Sequence, residues 1–172
     1  ITDNHTGNYV NYGIYIGSAN PQANNNIIRN ITTNSSYTGY MILSAIFTSG
    51  STGSGSVSNN IVHSLSNNSN TANNSIYAIS TSFNSTAANN IVQGNLVHSL
   101  NISSTNKSCQ LVGIRGTSNN TTNGANYRNN MVRLGIDADG NSITGGYAMY
   151  GIFEVTGSNN FDYNSVYIGG TG

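Results

Sequence analysis

The sequence predicts an all-β fold: a three-sided parallel β-helix (β-solenoid) of about five turns of 34–35 residues, one domain spanning residues 1–172. Two observations carry this. The phrase Asn60-Ile61-Val62-His63-Ser64-Leu65 returns as Asn95-Leu96-Val97-His98-Ser99-Leu100, with looser echoes after Asn26, Asn130 and Asn164. These leading asparagines are 34, 35, 35 and 34 residues apart, the fixed period of a repeat whose units bury their apolar faces against their neighbours. The second observation is that each period holds three short apolar-alternating segments, the mark of half-buried strands.

The segments line up in columns. Two residues after each asparagine stand Ile28, Val62, Val97, Val132 and Val166. A second column, in phrases such as Tyr12-Gly13-Ile14-Tyr15-Ile16 and Tyr150-Gly151-Ile152-Phe153, is Ile14, Ile46, Ile79, Ile114 and Ile152. A third, three residues ahead of each asparagine, reads Ala23, Val57, Val92, Tyr127 and Phe161. Three strands per period, stacked in register, make the coil. The residue before each second-column isoleucine is Gly or Ala (Gly13, Ala45, Ala78, Gly113, Gly151) and is expected to face outward as a flat strip. Period-to-period length differences fall between the columns, which assigns Thr48–Gly55 and Ser66–Asn74 to loops. Helical repeats fit poorly, because Asn, Gly, Ser and β-branched residues are weak helix formers.

The asparagines Asn26, Asn60, Asn95, Asn130 and Asn164 have a structural role in this arrangement. Asparagine tolerates left-handed backbone at a sharp bend. Its amide also pairs with copies one coil above and below, so a stacked column satisfies its own polar groups.

Composition narrows function. Lys and Arg total five and so do Asp and Glu, which gives no electrostatic case for nucleic acid or for an anionic membrane. Eleven Tyr and four Phe, with Ile and Val at fixed phase, argue against a disordered polar segment. The single cysteine, Cys109, allows no internal disulfide and reads as a small buried hydrophobe. No stretch is apolar for long enough to span a bilayer. A first residue of Ile and a last of Gly point to a piece of a longer chain, a segment of a repeat array or fibre.

The three-strand period, the asparagine column and the phrases NNIVQGNLVHSL and NNFDYNSVYIGG resemble right-handed parallel β-helix repeats of the pectate-lyase-like superfamily. They are most similar to Asn/Gly/Ser/Thr-rich arrays in very large secreted or surface-attached bacterial proteins, including those of Bacteroidota. The resemblance covers essentially the whole chain. It implies an extracellular or cell-surface setting and a fold that hosts lyases, hydrolases, adhesins and inert spacers. Enzymes of that superfamily cluster carboxylates on one strand face. The acids here are only Asp3, Asp137, Asp139, Glu154 and Asp162, and none stacks in a matching column, so no catalytic residue and no cofactor is expected.

Two further features are candidates for binding. Asp137, Asp139 and Asn141 place oxygen ligands at alternate positions, as a calcium loop opens, but Ser142 and Ala148 replace its glycine and its bidentate glutamate; a plain turn explains the run equally. One residue beyond the first aliphatic column stand Arg29, His63, His98, Arg133 and Tyr167, which alternation turns outward together. This stripe reads either as a solvated face or as a dock for an anionic or sugar partner. The expected reading is a non-enzymatic structural or adhesive segment that stacks end to end on further repeats or identical copies, with no nucleic-acid partner and no membrane insertion. The alternative is a carbohydrate-binding or polysaccharide-cleaving β-helix with its active site partly outside this chain.

Overall fold

A computed structural model describes residues 9–34, 39–50, 52–69, 73–83, 89–118 and 124–170; Asp3 lies outside them. Each coil contributes three strands. The first supplies β1 (Tyr9–Ser18), β2 (Gln22–Asn24) and β3 (Ile27–Thr33). The second supplies β4 (Tyr40–Gly50), β5 (Ser56–Ser58) and β6 (Ile61–Asn67), and the third β7 (Asn73–Phe83), β8 (Ile91–Gln93) and β9 (Leu96–Ile102). The fourth holds β10 (Gln110–Thr117), β11 (Asn126–Arg128) and β12 (Met131–Leu134), and the fifth β13 (Ala148–Thr156), β14 (Asn160–Asp162) and β15 (Ser165–Ile168). They form three five-stranded sheets: a long sheet β1-β4-β7-β10-β13, a narrow sheet β2-β5-β8-β11-β14 and a third sheet β3-β6-β9-β12-β15. Every pairing between these strands is parallel, and outside them Ile136 and Ser142 form an isolated antiparallel bridge. The chain is a three-sided β-solenoid.

The register places like residues on like residues. Ile14, Ile46, Ile79, Ile114 and Ile152 pair in succession along the long sheet. Ile28, Val62, Val97, Val132 and Val166 do so along the third sheet. In the three middle coils these side chains are buried outright, Val97 and Ile79 at 0% exposure. Each contributes on the order of 1.5–3 kcal/mol relative to exposure. At the fifth coil Val166 is 46% exposed, because no further coil covers it within the described residues. Cys109 is buried in the same core.

Three expectations need correction. The Gly/Ala column faces inward, not outward: Ala45 and Ala78 are fully buried, and a Cβ added at Gly113 or Gly151 would strike the side chains of Val132 and Val166. Strict alternation fails there because two successive residues, the Gly/Ala and its isoleucine, both point into the core. The ladder skips the Gly/Ala position, and the strand turns inward there, so that at Gly113 and Gly151 the backbone packs against the side chains of Val132 and Val166 on the third sheet. Second, the supposed loops are partly strand: β4 runs through Thr48 to Gly50, and β6 and β7 include Ser66, Asn67, Asn73 and Asn74. Residues 51 and 70–72 of those runs lie outside the described residues. Third, the left-handed residue at the sharp corner is the one before each stacking asparagine: Asn25 (φ 60), Asn59 (φ 56), Gly94 (φ 64), Asn129 (φ 53) and Tyr163 (φ 55).

Facing determines tolerance. Val97→Asp would place an unpaired carboxylate in the core and is expected to cost several kcal/mol. The neighbouring outward change His98→Ser should stay within about 0.5 kcal/mol. Thermal melts of the two variants check this, and equal losses would mean the facing is wrong.

Candidate functional site

The asparagine column is a continuous ladder of amides. The side-chain amide of each coil donates to Oδ1 of the next at 2.9 Å, from Asn26 through Asn60, Asn95 and Asn130 to Asn164. The backbone N–H of each donates to the same oxygen at 2.9–3.1 Å. The second amide hydrogen of Asn60, Asn95, Asn130 and Asn164 goes back to a carbonyl of the preceding coil, those of Ala23, Val57, Val92 and Tyr127. The three central asparagines are at most 1% exposed, so the column is a buried polar seam with its hydrogen bonds made. A partial second seam went unread in the sequence: Asn90 accepts from Gly55 N–H and Asn159 from Ala125 N–H, each at 2.8 Å. Its asparagines occupy alternate coils, so no fixed column marked it.

The calcium candidate is an Asx turn. Oδ1 of Asp137 accepts the backbone N–H groups of Asp139 (3.0 Å) and Asn141 (2.8 Å), and Oδ2 accepts the Asn141 amide. The backbone hydrogen bond from Asn141 is the main reason the Asp137 carboxyl is held below its ordinary range. Asn141 thus turns a donor toward Asp137. Among the described residues, no group of three His, Cys, Asp or Glu side chains is arranged to hold a metal.

The outward stripe is present on the third sheet. The His63 and His98 rings stack at 4.9 Å, nearly parallel at 5°, and each Nδ1 sits 2.9 Å from the hydroxyl of the following serine. Arg133 donates to Ser99 Oγ at 3.2 Å. Burial, then the neighbouring His63 and Arg133, lower the His98 pKa, so its ring is neutral near pH 7. A companion column on the other side of the valines was not anticipated: Ile27, Ile61, Leu96 and Met131 pair in register and face outward, Ile27 at 64% and Met131 at 58% exposure.

The long sheet carries a second unanticipated feature. Its inward kink makes the outer face concave, and aromatic rings line the furrow. Tyr12 and Tyr15, three residues apart, bring their rings to 5.1 Å, and Tyr150 and Phe153 to 4.6 Å. Phe47 stacks on Tyr15 at 5.4 Å, and the Arg115 guanidinium lies 5.2 Å over the Tyr77 ring. Tyr40 borders the same furrow, where burial raises its phenol pKa. The signal was in the phrases around Gly13 and Gly151, at positions flanking the inward pair. It was missed because these positions mix Tyr, Ser, Phe and Arg from coil to coil.

Compared with family models, curated proteins and solved structures, the chain matches none. The functional reading therefore rests on these surfaces.

Removing the central rung should expose the ladder's contribution. Asn95→Ala would remove the acceptor of two Asn60 donors, its backbone N–H and one amide hydrogen, and the side-chain donor to the Val57 carbonyl, a loss of at least about 3 kcal/mol at 1–3 kcal/mol per buried group; Asn130 Oδ1 keeps the backbone N–H of residue 95. Asn26→Ala, in a partly buried end rung, should lose less than half as much in urea unfolding.

Proposed function

We propose that the chain is a non-enzymatic structural segment of an extracellular bacterial surface protein or filament, a solenoid that stacks end to end. One observation carries the reading: the fifth coil is an unfinished rung. The backbone N–H and one amide hydrogen of Asn164 have no acceptor among the described residues, whereas every earlier rung donates both. Phe161, Val166 and Ile168 leave 40%, 46% and 49% of their surfaces exposed beside it. The Oδ1 of Asn26 at the other end receives no donor among the described residues, so donor and acceptor ends are complementary. The ends are not equivalent in apolar exposure, since Ala23 and Ile28 of the first coil are 2% and 8% exposed. A following repeat of the same chain, or an identical copy, would supply the missing acceptor. It would also cover the open apolar rung, worth on the order of 1 kcal/mol for each half-exposed side chain. Secretion and a bacterial origin are supported by the sequence resemblance alone.

A tandem fusion of two copies tests this. Its melting temperature should exceed that of the single chain by several degrees, and Val166→Asp in the first copy should remove the gain. A fusion that melts like two separate units would end the proposal.

The aromatic furrow favours a second reading, the carbohydrate-binding one. Rings on a concave face stack against the apolar faces of sugar rings, while the Tyr hydroxyls and Arg115 offer hydrogen bonds. On this reading a glycan array should show saturable binding, and replacing Tyr12 and Phe47 with Ala should weaken it at least tenfold with folding intact. Binding unchanged in that variant would exclude the furrow.

A further inference from the structure

We infer that the outer face of the third sheet docks flat on an anionic lipid surface. Two parallel columns lie side by side on it. One is aliphatic (Ile27, Ile61, Leu96, Met131) and the other basic (Arg29, His63, His98, Arg133). Near the last coils they open into a groove of about 350 Å³ with Leu96 and Met131 on one side and His98, Arg133 and Tyr167 on the other. Neither Arg29 nor Arg133 has a carboxylate partner among the described residues. The described acids lie outside the two columns: Glu154 on β13, Asp162 on β14, and Asp137 and Asp139 in the turn after β12, which sits beside the later halves of β3, β6 and β9. That turn borders Ser64 and Ser99, beyond the basic column, and its Asp137 is occupied by Asn141. The chain is neutral overall, but the strip formed by the two columns carries only basic side chains beside aliphatic ones, with the Asp137–Asp139 turn at its border.

Charge and shape select the occupant. Four aliphatic side chains are too few for a stable interface with a second copy, which needs about 800 Å² per partner, and two copies would also bring like charges together. A soluble anionic polymer would satisfy the arginines but leave Ile27 and Met131 in water. A bilayer surface satisfies both columns, with phosphates at the arginines and the aliphatic tips among the headgroups. Contact is interfacial, and no strand crosses the membrane. As pH falls, protonation of His98 adds positive charge to the same column. The groups facing His98 are His63 on β6, Arg133 on β12 and its own Ser99, with the Asp137–Asp139 turn beyond Ser99, so acidification strengthens the attraction.

Sedimentation with phosphatidylcholine vesicles, with and without phosphatidylglycerol, tests the proposal on the intact chain at pH 7.5 and 5.0. Binding is expected only to the phosphatidylglycerol vesicles, tighter at pH 5.0 and weakened by salt. Arg29→Gln with Arg133→Gln should lower it about 30-fold, at roughly fivefold per charge. Ile27→Ser with Met131→Ser should lower it at least tenfold. All four positions are outward, so circular dichroism should show the fold unchanged. Binding to neutral vesicles equally, binding to neither at both pH values, or capture by dextran sulfate that ignores the Ile27/Met131 pair would each overturn it. Coil stacking, read by the tandem fusion, is independent of this result.

Discussion

The fold depends on coil-to-coil register, and the amide seam from Asn26 to Asn164 is the interaction that sets it. The alternation of the sheet already opposes a one-residue slip, which would turn Val62, Val97 and Val132 outward. The seam adds a second penalty. Each Oδ1 accepts two donors from the preceding coil, and a shift of one residue would leave those donors buried and unpaired. The left-handed residue just before each rung holds the corner that aims the amide inward. Insertions elsewhere in the coil can then vary without disturbing the stack.

The period, the three sheets and the aliphatic columns were legible because the same residue type recurs at a fixed phase. Part of what was not legible depends on departures from strict alternation. At Gly113-Ile114 two successive residues face inward, so a period-of-two reading sends Gly113 to the wrong side and overlooks the furrow this creates. The outer positions of the long sheet vary in residue type from coil to coil. Tyr12, Ser44, Tyr77, Val112 and Tyr150 form one column in space and none in sequence. The basic stripe was readable, and the inward place of Ile28 and Val62 with it; the neighbouring Ile27, Ile61, Leu96 and Met131 were not read as a second outward column, although alternation about the same aliphatics turns them outward too.

Small residues in the Gly/Ala column and aromatic residues outside it are two sides of one constraint. The inward kink brings the long sheet against Val132 and Val166, which admits little beyond glycine or alanine at that point. The same kink folds the outer face, so residues three apart come within ring contact. A bulkier side chain inside would flatten the strand and part the rings outside. Core packing and surface shape are therefore coupled through a single backbone position in each coil.

The ladder also has a direction. From Asn26 to Asn130 one amide N–H of each rung points to the Oδ1 of the later coil, and from Asn60 to Asn164 each Oδ1 points toward the earlier one, while the second N–H of these four reaches back to a backbone carbonyl. Backbone dipoles along strands alternate and largely cancel. The side-chain dipoles of the asparagine column do not; they add, leaving partial positive charge at the Asn164 end and partial negative charge at the Asn26 end. The rod therefore carries an electrostatic axis built from uncharged residues. Each added coil lengthens that dipole, and ions near the two tips would feel opposite fields whatever the pH.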